Sequence, residues 1–219
     1  MSLGAIYASG LISLRINLEQ AKIMHSILFL RTSLFFLYIP LVSSATAEEK
    51  GKYETAKYEA VLTEGAFEIR NYPEIVVASA PMEASRSGSN SAFRSLFRYI
   101  SGGNEEQKKI AMTTPVFSTK VGEGKSMSFV VPAEVVAAGV PKATDEKVVV
   151  ATRAKGRFAV YRYSGRWTTA RENKARETLL AWIKEKELKT VGATETANYN
   201  SPMTLPFLRR NEVLVRLKN

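Results

Sequence analysis

Cysteine is absent from the 219-residue chain, and histidine occurs once, at His25. The first absence excludes a disulfide framework and a lipid-modified cysteine anchor. His25 falls in the N-terminal leader, so everything after it lacks histidine as well. The usual zinc and copper sites, Cys or His nucleophiles and a Ser-His-Asp arrangement are thereby closed to the folded part. A long apolar run is also missing. Residues 28–42 are nearly all apolar, but Arg31, Thr32 and Ser33 interrupt them and Pro40 breaks the stretch from 34 to 42. That is too short for a bilayer, which takes roughly 20 apolar residues.

The run is followed by Ala45-Thr46-Ala47, the small-x-small pattern of a signal-peptidase site. Residues 1–47 therefore read as a signal peptide cut after Ala47. Residues 1–23 are either a long n-region or lie upstream of a true start at Met24. The expectation is an exported protein, periplasmic or secreted, with an uncleaved leader acting as membrane anchor as the alternative. A polar linker at 48–52 leads into one domain at 53–219.

The formal charge is +10. Removing Arg15, Lys22, Arg31 and Glu19 with the leader takes 31 basic and 21 acidic residues to 28 and 20, a charge of +8. Such a surface favours anionic partners in general. No run of five basic residues occurs, which argues against a nucleic-acid footprint.

Residues 58–62 and 67–72 alternate around Gly65 and read as a hairpin, which Pro73 ends before a strand at 75–80. After a Ser/Gly/Asn loop at 85–90, Phe93, Leu96, Phe97 and Ile100 fall at i, i+3, i+4 and i+7 of a helix that Gly102-Gly103-Asn104 stops. Strands at 116–121 and 126–131 form a second hairpin, and Pro132 and Pro141 bracket a connection. Strands at 148–152 and 158–163 read as a third hairpin around Gly156. Thr169 and Glu172 read as the capping box of a helix whose buried stripe is Ala175, Leu179, Trp182 and Ile183. A strand at 193–199, a loop containing Pro202 and Pro206, and alternation at Val213, Val215 and Leu217 complete the chain.

Two word pairs share one spacing. Met112, Thr113 and Pro115 match Met203, Thr204 and Pro206, while Gly65, Phe67 and Tyr72 match Gly156, Phe158 and Tyr163, all 91 residues apart. This reads as a duplicated unit, about 53–131 and 146–217, hence a pseudo-twofold domain rather than a solenoid. The class is α+β, a curved antiparallel sheet with helix one as the lid on its open side.

Tyr199-Asn200-Ser201-Pro202-Met203 with Arg209-Arg210-Asn211-Glu212-Val213, and Tyr99-Ile100-Ser101-Gly102-Gly103-Asn104 leading into Met112-Thr113-Thr114-Pro115-Val116, resemble the SOUL heme-binding protein family. The likeness runs from about Tyr53 to Leu217. It implies a distorted, pseudo-symmetric antiparallel β-barrel flanked by two helices, holding heme or a related tetrapyrrole in a shallow apolar groove between helix one and the C-terminal Pro-Met loop. The resemblance puts Phe93 and Phe97 at apolar groove positions, Arg98 at a basic one, and Met203, Leu205 and Phe207 in the loop. Arg209 and Arg210 follow as cations for the propionates. Asn90 stands where some members carry a basic residue.

Each of these residues has a structural alternative. Phenylalanines at helical spacing also make core, methionines found in both words also serve a turn, and Arg209-Arg210-Asn211-Glu212 also fits an internal ion-pair cluster fastening the last strand. Some members of the family use a histidine as axial ligand, a route closed here. Met203 or Tyr199 are the remaining candidates, or packing alone, so heme is expected to bind weakly and reversibly. The expectation is a monomeric, non-catalytic buffer or carrier of heme. The adjacent acids Glu105 and Glu106 read as solvated rather than catalytic. A binding module for another amphipathic small molecule, or a basic surface-interaction protein, are the alternatives.

Overall fold

The computed structural model describes residues 53–83, 88–121 and 124–218. The expected signal peptide with its cleavage site, the 48–52 linker and residues 85–87 of the expected 85–90 loop lie outside them, while 88–90 already belong to a helix. In chain order the elements are β1 (Glu54–Thr55), β2 (Glu59–Glu64), β3 (Phe67–Tyr72), β4 (Ile75–Met82), α1 (Gly88–Ile100), β5 (Thr113–Thr114), β6 (Val116–Val121), β7 (Gly124–Val130), α2 (Ala133–Ala138), β8 (Val149–Arg153), β9 (Gly156–Tyr163), α3 (Thr169–Glu185), β10 (Thr190–Asn198), a 3-10 turn (Pro206–Leu208) and β11 (Asn211–Leu217).

Nine strands make one sheet in the order β2-β3-β9-β11-β10-β6-β7-β4-β8, antiparallel throughout, and β1 pairs with β5 in a separate parallel ribbon. Period-two alternation gives the sheet two apolar faces. On the inner face Tyr72 of β3, Val77 of β4, Phe117 of β6, Phe158 and Val160 of β9 and Leu214 of β11 share one buried cluster. Because β3 and β4 lie near opposite ends of the strand order, the sheet must roll to bring them together. Arg153, on the last strand β8, sets its guanidinium 4.3 Å from the Phe158 ring, 4.7 Å from Phe117 and 5.2 Å from Tyr72. Side chains thus span the roll. Hydrogen bonding runs in a row whose two ends are β2 and β8.

On the outer face α1 buries Ala92, Leu96, Tyr99 and Ile100 against Ala78, Ala80, Met127 and Phe129. Further along the same face, α3 buries Ala175, Leu179, Trp182 and Ile183 against Ile69, Ala159, Val213 and Val215. Helix one is therefore no lid on the interior. It lies on the outside of β4 and β7, and the central strands β10 and β6 run between the two helices.

Several local expectations change. Residues 148–163 form no hairpin. β8 pairs with β4 and β9 with β3 and β11, because Arg216 of β11 occupies the space beside Gly156 and donates to the Ala154 and Lys155 carbonyls at 2.7 Å each. The 91-residue offset joins unlike places. Met112 lies between α1 and β6 whereas Met203 lies between β10 and β11, and β3 pairs directly with β9. What does occur twice is strand-helix-strand-strand, as β4-α1-β6-β7 and β9-α3-β10-β11. The connection after Pro132 contains α2, whose Val135 and Val136 amides bond the Pro132 carbonyl and which ends at Gly139, φ 100°. α3 is capped by Thr168, whose hydroxyl accepts from Arg171 N at 3.3 Å, and not by a Thr169–Glu172 box. Among the described residues no helix is long and apolar enough to cross a membrane.

Candidate functional site

Leu96, Tyr99 and Ile100 of α1 are buried, and the adjoining ridge is not. Phe93 is 41% and Phe97 51% exposed. Their rings stack 5.9 Å apart at 12°, and Phe93 also meets Phe129 edge-on at 5.5 Å. Phe129 belongs to β7, next to β6, so the ring pair stands on the flank of α1 that faces the central strands. Half-exposed, each phenylalanine forgoes roughly 1 kcal/mol of available burial. A stacked exposed pair is also a patch rather than a scattered surface residue. The platform beneath is rigid. Tyr99 Oη donates to the Pro141 carbonyl at 2.8 Å, and Asn104 Nδ2 donates to the Tyr99 and Lys108 carbonyls beyond the Gly102-Gly103 turn. Arg98 is exposed on this helix. It faces Asp145, whose carboxyl is held below the usual range by the Ser95 hydroxyl first, then the Lys147 amide, then the Arg98 and Lys147 charges.

The Pro-Met loop is built from its own polar groups. Tyr199 N donates to the Arg210 carbonyl, Asn200 Oδ1 accepts from Arg210 N at 2.6 Å, and Ser201 Oγ accepts from Met203 N at 3.2 Å. Arg209 is the strut, its Nε on the Thr204 carbonyl at 2.8 Å and its Nη2 on the Pro202 carbonyl at 2.6 Å. The Pro206 carbonyl takes the Gly165 amide at 2.9 Å, tying the loop to the connection before α3. Apolar side chains are left outside: Met203 is 90% and Phe207 70% exposed, with Leu205 and Leu208 also open to solvent.

Arg210 turns the other way. Its Nε donates to Glu212 at 2.8 Å, its Nη2 to Tyr58 at 3.0 Å, and its guanidinium lies 3.9 Å from the Tyr199 ring. Glu212 is fully buried and also takes Arg70 Nη1 at 2.7 Å, Arg70 Nη2 at 2.9 Å and the Tyr199 hydroxyl at 3.0 Å. Burial pushes the Glu212 carboxyl up, but Arg70 and then Arg210 outweigh it and hold the group below its ordinary value. Burial, with Glu212 beside it, pushes the Tyr199 phenol well up. Tyr199 is thus a protonated donor to Glu212, which leaves it unsuited to bind iron as a phenolate. Arg210 belongs to the internal ion-pair cluster that was the alternative for it.

The candidate residues therefore fall into three groups. Phe93, Phe97 and Arg98 share an exposed helix flank; Met203, Leu205 and Phe207 share an exposed loop; Arg209 and Arg210 hold backbone and buried charge. Among the described residues no hydrogen bond or ring contact joins the first group to the second. Glu105 pairs at the surface with Lys142.

Sequence reasoning missed a cleft of about 460 Å³ over the central strands. Its floor includes Ser118 of β6 and Thr196 of β10, directly opposed across the strand pair, and Trp167 and the first turns of α3 form a wall. Trp167 donates Nε1 to Glu172 at 3.2 Å, and Arg176 Nε holds the same carboxylate at 3.1 Å. Trp167 and Thr168 also line a second hollow, of about 650 Å³, together with Met203, Leu205 and Arg209. The available signal was Trp167 itself, an aromatic placed just before a helix cap in an otherwise polar stretch.

A tetrapyrrole needs flat apolar surface, cations at its acidic edge and at most one axial atom. The Phe93–Phe97 stack and the exposed loop supply the first, the Met203 thioether is accessible for the last, and no histidine is available.

Comparison with known proteins identifies the family. Residues 53–216 match the profile described as SOUL heme-binding protein. Human heme-binding protein 2 is 31% identical over 166 residues, covering 71% of this chain and 80% of that protein. An uncharacterized conserved protein from Listeria innocua superposes with a TM-score of 0.51 at 13% identity, over 78% of this chain and 97% of that one. An EcmrR–DNA complex gives 0.50 at 10%, over 70% and 57%. At such identities the last two share the fold alone. With the profile spanning nearly all the described residues and a relative that is itself a heme-binding protein, the chain belongs to the SOUL heme-binding protein family.

Proposed function

We propose that the protein binds heme or a related tetrapyrrole reversibly, as a non-catalytic buffer or carrier, in the apolar groove between α1 and the Pro-Met loop. The observation that carries this is the Phe93–Phe97 stack, kept out of the core on a helix whose other face is fully packed. Phe93 and Phe97 offer a flat face to the macrocycle, Met203, Leu205 and Phe207 cover its other side, and Arg98 stands near its edge. Bound heme supplies the iron and its redox chemistry, and the chain's part is to shield the ring and release it. Packing holds the ring, with Met203 as the available axial atom. The protein does this as a monomer outside the cytoplasm, after its leader is removed.

Hemin titration with Soret detection tests the proposal. A saturable shift that the F93D/F97D variant loses supports it. No saturable shift, or the same shift in that variant, refutes it.

A further inference from the structure

The cleft beside Trp167 holds donors that lack acceptors. Ser118 and Thr196 are 9% and 2% exposed. Among the described residues their hydroxyls, the Asn173 amide and the ammonium groups of Lys120 and Lys125 make no side-chain hydrogen bond or ion pair, yet all line the cleft. Donors without a protein partner on the lining of an open cleft are available to a ligand. The two lysines are also opposed across β6 and β7 as a cross-strand pair. Like charges in that position destabilise a sheet, and an anion between them would reverse the sign. The cleft's own carboxylate does not compete, because Glu172 is engaged by Arg176 and Trp167.

The half-exposed Trp167 indole is common to this polar basin and to the apolar hollow under Met203 and Leu205. One ligand spanning both would be flat and apolar at one end and carry acid groups at the other. We infer that the cleft receives the carboxylates of the tetrapyrrole, with Lys120 and Lys125 as their counter-charges, Ser118 and Thr196 as donors, and Trp167 stacking on the ring. This rests on the tetrapyrrole reading above and extends it to the residues that take the acidic edge, a role first given to Arg209 and Arg210.

The test compares iron-free protoporphyrin IX with its dimethyl ester, which keeps the ring and loses both charges, by fluorescence titration of wild type, K120Q/K125Q and F93D/F97D. Expected is a wild-type preference for the diacid that weakens with added salt. K120Q/K125Q should lose about tenfold or more in affinity for the diacid and none for the diester, with an unchanged thermal melt showing that it folds. Equal wild-type affinity for the two porphyrins overturns the inference, as does an equal loss for both, or no loss, in the lysine variant. If binding survives K120Q/K125Q intact but is lost in F93D/F97D, the tetrapyrrole reading stands and this assignment falls. If neither porphyrin binds saturably, both fall.

Discussion

Substituting Glu212→Gln should damage the fold more than any surface change near the proposed groove. The carboxylate is fully buried and accepts two hydrogen bonds from Arg70, one from Arg210 Nε and one from Tyr199. Glutamine keeps one acceptor and deletes the charge, which leaves Arg70, itself fully buried, with a cation and too few partners. Breaking a buried pair from one side costs about 3–5 kcal/mol. The lower end applies here, because Glu68 stays on Arg70 Nε at 2.6 Å. A loss of about 3 kcal/mol lowers Tm by roughly 6–12 °C in a domain of this size. Urea unfolding of wild type, E212Q, R70Q and R70Q/E212Q should show a coupling of about 1–3 kcal/mol, the double variant being less damaged than the sum of the singles. The carboxyl is held below its ordinary value of 4.5, so its contribution is complete above that pH and is lost as pH falls through the folded value. E212Q should therefore flatten the acid limb of the stability curve. A loss under about 1 kcal/mol, additive singles, or an unchanged acid limb would refute the reasoning.

Tyr163→Phe should raise stability by about 1 kcal/mol in the same urea assay, because the Tyr163 hydroxyl is buried without a partner. In wild type, burial and then the Glu172 charge push that phenol up to about 12, so stability should fall as pH rises from 10 towards 12, and this loss should shrink in the variant. Gly103→Ala should cost about 2 kcal/mol, since its Cβ would stand 2.8 Å from the Arg98 carbonyl oxygen, and backbone there cannot yield. Gly156→Ala should cost less, about 1 kcal/mol, because the obstacle is the movable end of Arg216. Phe97→Ser should leave the melt within about 1 kcal/mol of wild type while weakening hemin binding, the half-exposed ring having little folding energy to lose.

The helices and most strands were legible because their signals are local. Leu96, Ile100, Leu179 and Ile183 recur at helical spacing, and Val213, Val215 and Leu217 alternate. Partner choice was not legible. Gly156 between two apolar runs looks like a hairpin turn, and only Arg216, sixty residues on, shows why the strands part. The periodicity at Phe93, Leu96, Phe97 and Ile100 is genuine, but it could not tell which side of the stripe packs. That depends on where β4 and β7 run beneath the helix. The Arg209-Arg210 pair shows the same limit, since two adjacent cations of equal propensity point one to loop carbonyls and the other to a buried carboxylate. The cleft was beyond reach because Ser118, Lys125, Trp167 and Thr196 meet only when β6, β7 and β10 come together beside the start of α3.

The inside of the rolled sheet bears on where a ligand can go. One stretch of it is filled by Arg70, Glu212, Arg210, Tyr58 and Tyr199, and another by the Arg153 guanidinium among Tyr72, Phe117 and Phe158. Opening either for a macrocycle would strand buried charge, at a cost of several kcal/mol per ion. Affinity that must first overcome such a cost is poor for a site meant to load and release. The outer face carries no such penalty. There the Phe93–Phe97 stack, the Met203–Phe207 loop and the Trp167 cleft are already open to water, and covering them desolvates apolar surface that folding left exposed. The polar interior therefore keeps the roll rigid, and the proposed binding belongs on the outer surface around the central strands.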